Sequence, residues 1–289
     1  MMLSGSHNVI ERCIFDGNRD TGLQISRRSS AVTNYKDWPS YNTILNCTSK
    51  NNCDPATYEN ADGFAAKLTC GDGNLFDGCI SYNNSDDGWD LFAKTATGPI
   101  GVVTIRNCIA MRNGITEDGT TKSRCDGNGF TDNNNPSALK LSNCTAFDNN
   151  KGGSKNNFSL YRCKDAVVSS CISYTTNGAS SIVSQTITNT MKITFNKSYD
   201  LSKLKICYYF TGDGAEAFQG SIYGGISYTR APWYVSLDGR AKISVKKMSN
   251  LSIAKSDWSN FNQSNDYSYN DASKVIVYYD GVVVSGKAF

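Results

Sequence analysis

Asn8-Val9-Ile10-Glu11-Arg12-Cys13-Ile14-Phe15 alternates side chains through a cysteine, and Asn42-Thr43-Ile44-Leu45-Asn46-Cys47 repeats the pattern. The same context surrounds four more cysteines: Gly78-Cys79-Ile80, Asn107-Cys108-Ile109, Asn143-Cys144-Thr145 and Ser170-Cys171-Ile172. The intervals are 34, 32, 29, 36 and 27 residues, the uneven period of a solenoid whose turns carry loops of different length. A second half-unit follows each cysteine as Gly22-Leu23, Gly63-Phe64, Gly88-Trp89 and Gly129-Phe130, with Asn157-Phe158 in the fifth turn. Apolar residues recur at period two and not at helical spacing, so the region reads as short strands. The expected fold is a right-handed parallel β-helix with the six cysteines stacked inside as small apolar residues. Disulfides or a metal site are the alternatives. No pair has CxxC spacing, and the total of 11 cysteines is odd.

The pattern ends near Tyr174. Residues 175–185, TTNGASSIVSQ, are small and polar, and an aromatic-rich β pattern follows in Lys205-Ile206-Cys207-Tyr208-Tyr209-Phe210 and Lys274-Val275-Ile276-Val277-Tyr278-Tyr279. Asp280-Gly281 and Val282-Val283-Val284 then read as a hairpin. The chain is therefore all-β, divided into a β-helix over residues 1–179 and a jelly-roll-like β-sandwich over 180–289. No apolar run approaches a membrane span. A net charge of +3 over 289 residues is too weak for a nucleic-acid partner. With His7 alone, a Ser-His-Asp relay is excluded in practice.

Aligning the Gly-aromatic pairs stacks Asp62 of Ala61-Asp62-Gly63-Phe64 beneath Asp87 of Asp86-Asp87-Gly88-Trp89-Asp90, with Asn128 next. Adjacent strands lie ~4.8 Å apart, and carboxylates at that spacing repel unless a cation sits between them. Asp86 and Asp90 flank the same bend. An all-oxygen, multi-carboxylate set without His or Cys suits calcium better than zinc. The competing reading is four exposed, bend-forming aspartates.

The runs NVIERCIFDGNRDTGLQISR at 8–27, ADGFAAKLT at 61–69 and FDGCISYNNSDDGWDLFAK at 76–94 resemble the pectate lyases of polysaccharide lyase family nine over residues 5–175. The resemblance implies that Asp62, Asp86, Asp87 and Asp90 bind a catalytic calcium ion. It also implies cleavage of polygalacturonate by β-elimination, with calcium acidifying the C5 proton and a lysine as Brønsted base. The family's lysine follows its motif as GNGFK, whereas this chain reads Gly127-Asn128-Gly129-Phe130-Thr131. A threonine hydroxyl cannot replace an amine base near neutral pH. A lost solenoid turn between Cys108 and Cys144 is the simplest explanation, since each turn contacts only its neighbours. Lys67, Lys94, Lys122 and Lys140 remain as substitutes, Lys67 and Lys94 being nearest the acidic cluster in sequence but each reading more readily as a surface lysine or a substrate-carboxylate contact.

LSKLKICYYFT at 201–211, KSDWSNFNQSNDYSY at 255–269 and residues 275–286 resemble carbohydrate-binding module family three, a cellulose-binding β-sandwich. The section 215–251 is short against that family. The resemblance implies a structural calcium held by Thr211, Asp213, Asn262, Asn265 and Asp266. Tyr223, Tyr228, Trp233 and Tyr234 could stack on glucose rings or belong to the sandwich core, and Ser285 stands where the family usually has tryptophan. The function expected is a calcium-dependent pectate lyase acting on plant cell-wall pectin, with a cellulose-binding-type module. A noncatalytic calcium- and polysaccharide-binding relative and a structural or adhesin-like solenoid are the other readings. A secreted monomer is expected from the resemblance. Residues 1–6 lack the regions of a signal peptide, so the sequence reads as a truncated chain.

Overall fold

The computed structural model describes residues 1–200 except 121–123, 136–138, 150–155, 170, 176–181, 189 and 197–198. Beyond residue 200 it describes only the strands named below. Three parallel sheets form the walls of a β-helix. Sheet A contains Met2–Leu3, Leu23–Ile25, Phe64–Ala66, Trp89–Phe92, Phe130–Asn133, Phe158–Cys163 and Ile182–Thr186. Sheet B contains Val9–Glu11, Thr43–Leu45, Asn74–Asp77, Val103–Arg106, Lys140–Ser142, Val167–Ser169 and Thr194–Asn196. Sheet C runs from Ile14–Asp16 through Thr48–Lys50, Ile80–Tyr82, Ile109–Met111, Thr145–Phe147 and Ile172–Tyr174 to Tyr199–Asp200, where Lys287–Ala288 pairs antiparallel. The solenoid pairing thus continues past residue 179.

The sequence repeat is the corner of this helix. Arg12, Asn46, Gly78, Asn107 and Asn143, each just before a cysteine, have φ of 54°, 57°, 67°, 55° and 52°. Asn and Gly tolerate that left-handed conformation best. The corner turns each cysteine inward, and Cys47, Cys79, Cys108, Cys144 and Cys171 are buried in the core. None of the ten cysteines from Cys13 to Cys171 is in a disulfide, and burial raises the pKa of Cys108 and Cys171. The cysteines are register marks, as the spacing predicts.

Sheet A contributes the aromatic spine. Phe64, Trp89, Phe130 and Phe158 stack with centroid separations of 5.0, 4.8 and 5.3 Å. The glycine before Phe64, Trp89 and Phe130 is enforced by close approach: a Cβ on Gly88 would lie 2.5 Å from the Gly129 carbonyl oxygen. At the corner between sheets C and A, buried Asn52, Asn84, Asn113, Asn149 and Asn157 form a ladder of amide hydrogen bonds 2.7–2.9 Å long. This ladder satisfies polar groups that burial would otherwise penalise, and it fixes the corner next to the acidic residues.

Beyond the solenoid a five-stranded sheet is ordered Ile226–Tyr234, Ala217–Tyr223, Ile206–Phe210, Lys274–Tyr279 and Lys242–Lys247. All its pairings are antiparallel except the last. No helix among the described residues is long and apolar enough to cross a membrane.

Candidate functional site

The residue before each Gly-aromatic pair occupies one column at the corner leading into sheet A. Asp62, Asp87 and Asn128 follow one another there: the Asp87 amide donates to Asp62 Oδ1 at 3.2 Å, and the Asn128 amide donates to Asp87 Oδ1 at 2.6 Å. The Asn128 side chain donates to the same Asp87 oxygen at 3.0 Å. Thr21 extends the column, its hydroxyl donating to Asp62 Oδ2 at 3.1 Å. Asp86 is oriented by two backbone donors, the amides of Asn60 at 2.7 Å and Asp126 at 2.6 Å. Asp90 lies on sheet A, flanked by Ala65 and Thr131 in the neighbouring strands.

Lys67 joins these groups. Its ammonium lies 2.6 Å from Asp62 Oδ2 and 2.9 Å from Asp90 Oδ2, with the side chain 7% exposed. Burial alone would lower its pKa, but the Asp62 and Asp90 charges outweigh that and raise it. Burial also pushes the Asp62 carboxyl up to about 6, against the pull of Lys67, and the Asp86 carboxyl up to about 7, where the Asp62 charge adds to the effect. Asp87 is raised well above the usual carboxylate range by burial and then by Asp86, Asp90 and Asp62. Lys67 therefore pairs with only two of the four carboxylates, Asp62 and Asp90.

That excess of sunken negative charge, on oxygen donors alone, fits a hard divalent cation. Among the described residues no three His, Cys, Asp or Glu side chains are already closed around one point. Lys67 instead bridges Asp62 to Asp90, two of the four candidate ligands.

The other candidates are dispersed. Lys94 is exposed just beyond the strand Trp89–Phe92, and Lys140 opens a strand of sheet B, on a different wall. Thr131 is 5% exposed and sits beside Asp90. Lys122, Thr211, Asp213, Asn262, Asn265, Asp266 and Ser285 lie outside the described residues. Tyr223, Tyr228, Trp233 and Tyr234 fall on two adjacent strands of the five-stranded sheet. Thr21 and the Asn60 and Asp126 amides are site members that the motifs do not reveal. Thr21 had a signal in its place before Gly22, where Asp62 and Asp87 stand before Gly63 and Gly88.

The family model for the Pel9A-like right-handed β-helix region matches residues 1–198. The chain belongs to the Pel9A-like β-helix family. Residues 171–286 match the cellulose binding domain model, a β-sandwich fold. Pectate lyase L of Thermoclostridium stercorarium is 44% identical over 206 residues, covering 62% of this chain and 16% of that protein. Pectate lyase L of Paenibacillus polymyxa (strain SC2) is 46% identical over 173 residues, covering 51% of this chain and 38% of that protein. Among solved structures, pectate lyase Pel9A superposes with a TM-score of 0.53 at 30% identity, covering 66% of this chain and 44% of that one. The chain thus spans less than half the length of each of these relatives.

Proposed function

We propose that the chain binds polygalacturonate through calcium held by Asp62, Asp86, Asp87 and Asp90, and cleaves it by β-elimination as a pectate lyase. The observation that carries this reading is the charge imbalance: four neighbouring aspartates, Asp62 and Asp87 buried, of which the Lys67 ammonium pairs with Asp62 and Asp90 alone. Similarity to pectate lyases supports the substrate. Calcium, when bound, would draw on the substrate carboxylate and acidify the adjacent C–H. The chain's own residues prepare the site: Asn128 and the Asp87 amide hold the column in register, Asn60 and Asp126 fix Asp86, and Lys67 aligns Asp62 with Asp90. Lys94 is the remaining candidate for the base and for a substrate-carboxylate contact, because Lys67, paired with Asp62 and Asp90, holds its proton too tightly to act as one.

A second reading, a noncatalytic relative that keeps the cation and polysaccharide sites, is favoured by Thr131. This residue stands beside Asp90 at the position of the family's lysine, and its hydroxyl is no base near neutral pH. We further propose that the C-terminal module binds cellulose or another cell-wall polysaccharide, with a structural calcium at Thr211, Asp213, Asn262, Asn265 and Asp266. Secretion and a monomeric state are also proposed, as is a module boundary close to Asp200. The test is the ultraviolet absorbance of unsaturated uronide released from polygalacturonate, with and without a calcium chelator. Chelator-sensitive product supports the lyase; calcium and polymer binding without product supports the second reading.

A further inference from the structure

Because the ring positions of sheet A point inward, the residues between them form its outer face. Two columns lie there side by side. One is Ala65, Asp90, Thr131 and Ser159; the other is Phe92, Asn133 and Tyr161. The first column carries Asp90 of the acidic cluster. In the second, Phe92 and Tyr161 are half-buried aromatics two coils apart, about 10 Å along the solenoid axis. Both are partly exposed on that face.

Arg162 follows Tyr161 at an irregularity, where the pairing with the next strand shifts register between Tyr161 and Cys163. Its φ is 59°, and such bulges re-aim side chains. The exposed guanidinium is turned back over the Tyr161 ring, 5.0 Å from its centroid, and Nη1 donates to Asn134 Oδ1 at 3.3 Å. A cation is thereby stationed on the same strip as two aromatic faces, displaced along the axis from the aspartates.

We propose that Phe92, Asn133, Tyr161 and Arg162 form an extended subsite for the uronate residues that lie C-terminal to the acidic cluster along the solenoid. Phe92 and Tyr161 stack on pyranose faces, Asn133 lies between them, and Arg162 pairs with a uronate carboxylate through its planar donor fork. The strip complements the acidic cluster in charge: the polymer's carboxylates meet a cation held by aspartates at one end and a guanidinium at the other. This inference rests on the polygalacturonate reading above.

The experiment measures affinity of the full chain for oligogalacturonates of increasing length in calcium by titration calorimetry, with Arg162→Gln, Tyr161→Ala, Tyr161→Phe and Asp87→Ala. Wild type should gain affinity as the oligomer grows long enough to reach the strip. Arg162→Gln and Tyr161→Ala should each lose about tenfold on long oligomers while short oligomers and calcium bind as in wild type. Tyr161→Phe, which keeps the ring, should retain most of the gain, and Asp87→Ala should weaken every length. If Arg162→Gln and Tyr161→Ala bind long oligomers as wild type does, the subsite is refuted and the acidic-cluster reading stands. If wild type binds no oligogalacturonate, both fall.

Discussion

Replacing Asp132 by asparagine should make the protein more stable at alkaline pH and leave it little changed at acid pH. Asp132 is two residues beyond Phe130 on its strand and therefore shares its inward face, between Leu91 and Leu160 of the adjacent coils. It is fully buried, and neither carboxylate oxygen has a hydrogen bond of good geometry, although Cys163 and Asn135 lie near. Burial raises its pKa from 3.8 to about 8. A carboxyl whose pKa is higher in the folded chain binds its proton more tightly there, so its contribution is fully present below pH 3.8 and drains away up to about pH 8. Each pKa unit is equivalent to ~1.4 kcal/mol, which sets an upper limit on the order of 5 kcal/mol for the loss across that window. Urea unfolding of wild type and Asp132→Asn from acid to alkaline pH reads this directly, because the difference between the two cancels the other titrating groups. The difference should widen in favour of the variant up to about pH 8 and then level off. A difference independent of pH would refute the placement of this carboxyl in the core.

Other consequences follow from the same geometry. Asn113→Ala removes side-chain donors to Asn149 and the Ser81 carbonyl and an acceptor for Asn84; urea unfolding should show a loss of about 2–4 kcal/mol. Gly88→Ala forces a Cβ to within 2.5 Å of the Gly129 carbonyl oxygen and should lower the melting temperature or abolish soluble expression, while the same change at open Gly98 should be milder. Thr131→Lys places an amine beside Asp90 and should raise the rate of unsaturated uronide release by at least about tenfold; an unchanged rate would sink the assignment of that position to the missing base.

Sequence reading reached the β-helix because successive coils turn the same left-handed corner and fill the same interior position, leaving Asn-Cys or Gly-Cys at four of the six repeats. It reached the column of Asp62 and Asp87 because the glycines after them are fixed by backbone contact between coils. Lys67 was named as a candidate, but its bridging of Asp62 and Asp90 was not legible. That bridge depends on which outward residue of one coil faces which residue of the next, here Ala65 opposite Asp90. Thr21 was missed because a hydroxyl beside a glycine carries no charge pattern. Asp132 stands in the polar stretch 131–135 with nothing to mark it as interior, since an unpaired carboxyl inside an apolar core contradicts the usual cost of burial.

The central claim is that Asp62, Asp86, Asp87 and Asp90 hold a calcium ion. Calcium titration of the full chain, wild type against Asp87→Ala with folding checked by circular dichroism, tests it most directly. The account predicts that the substitution removes one calcium from the number bound per chain. An unchanged number bound with unchanged affinity would contradict it.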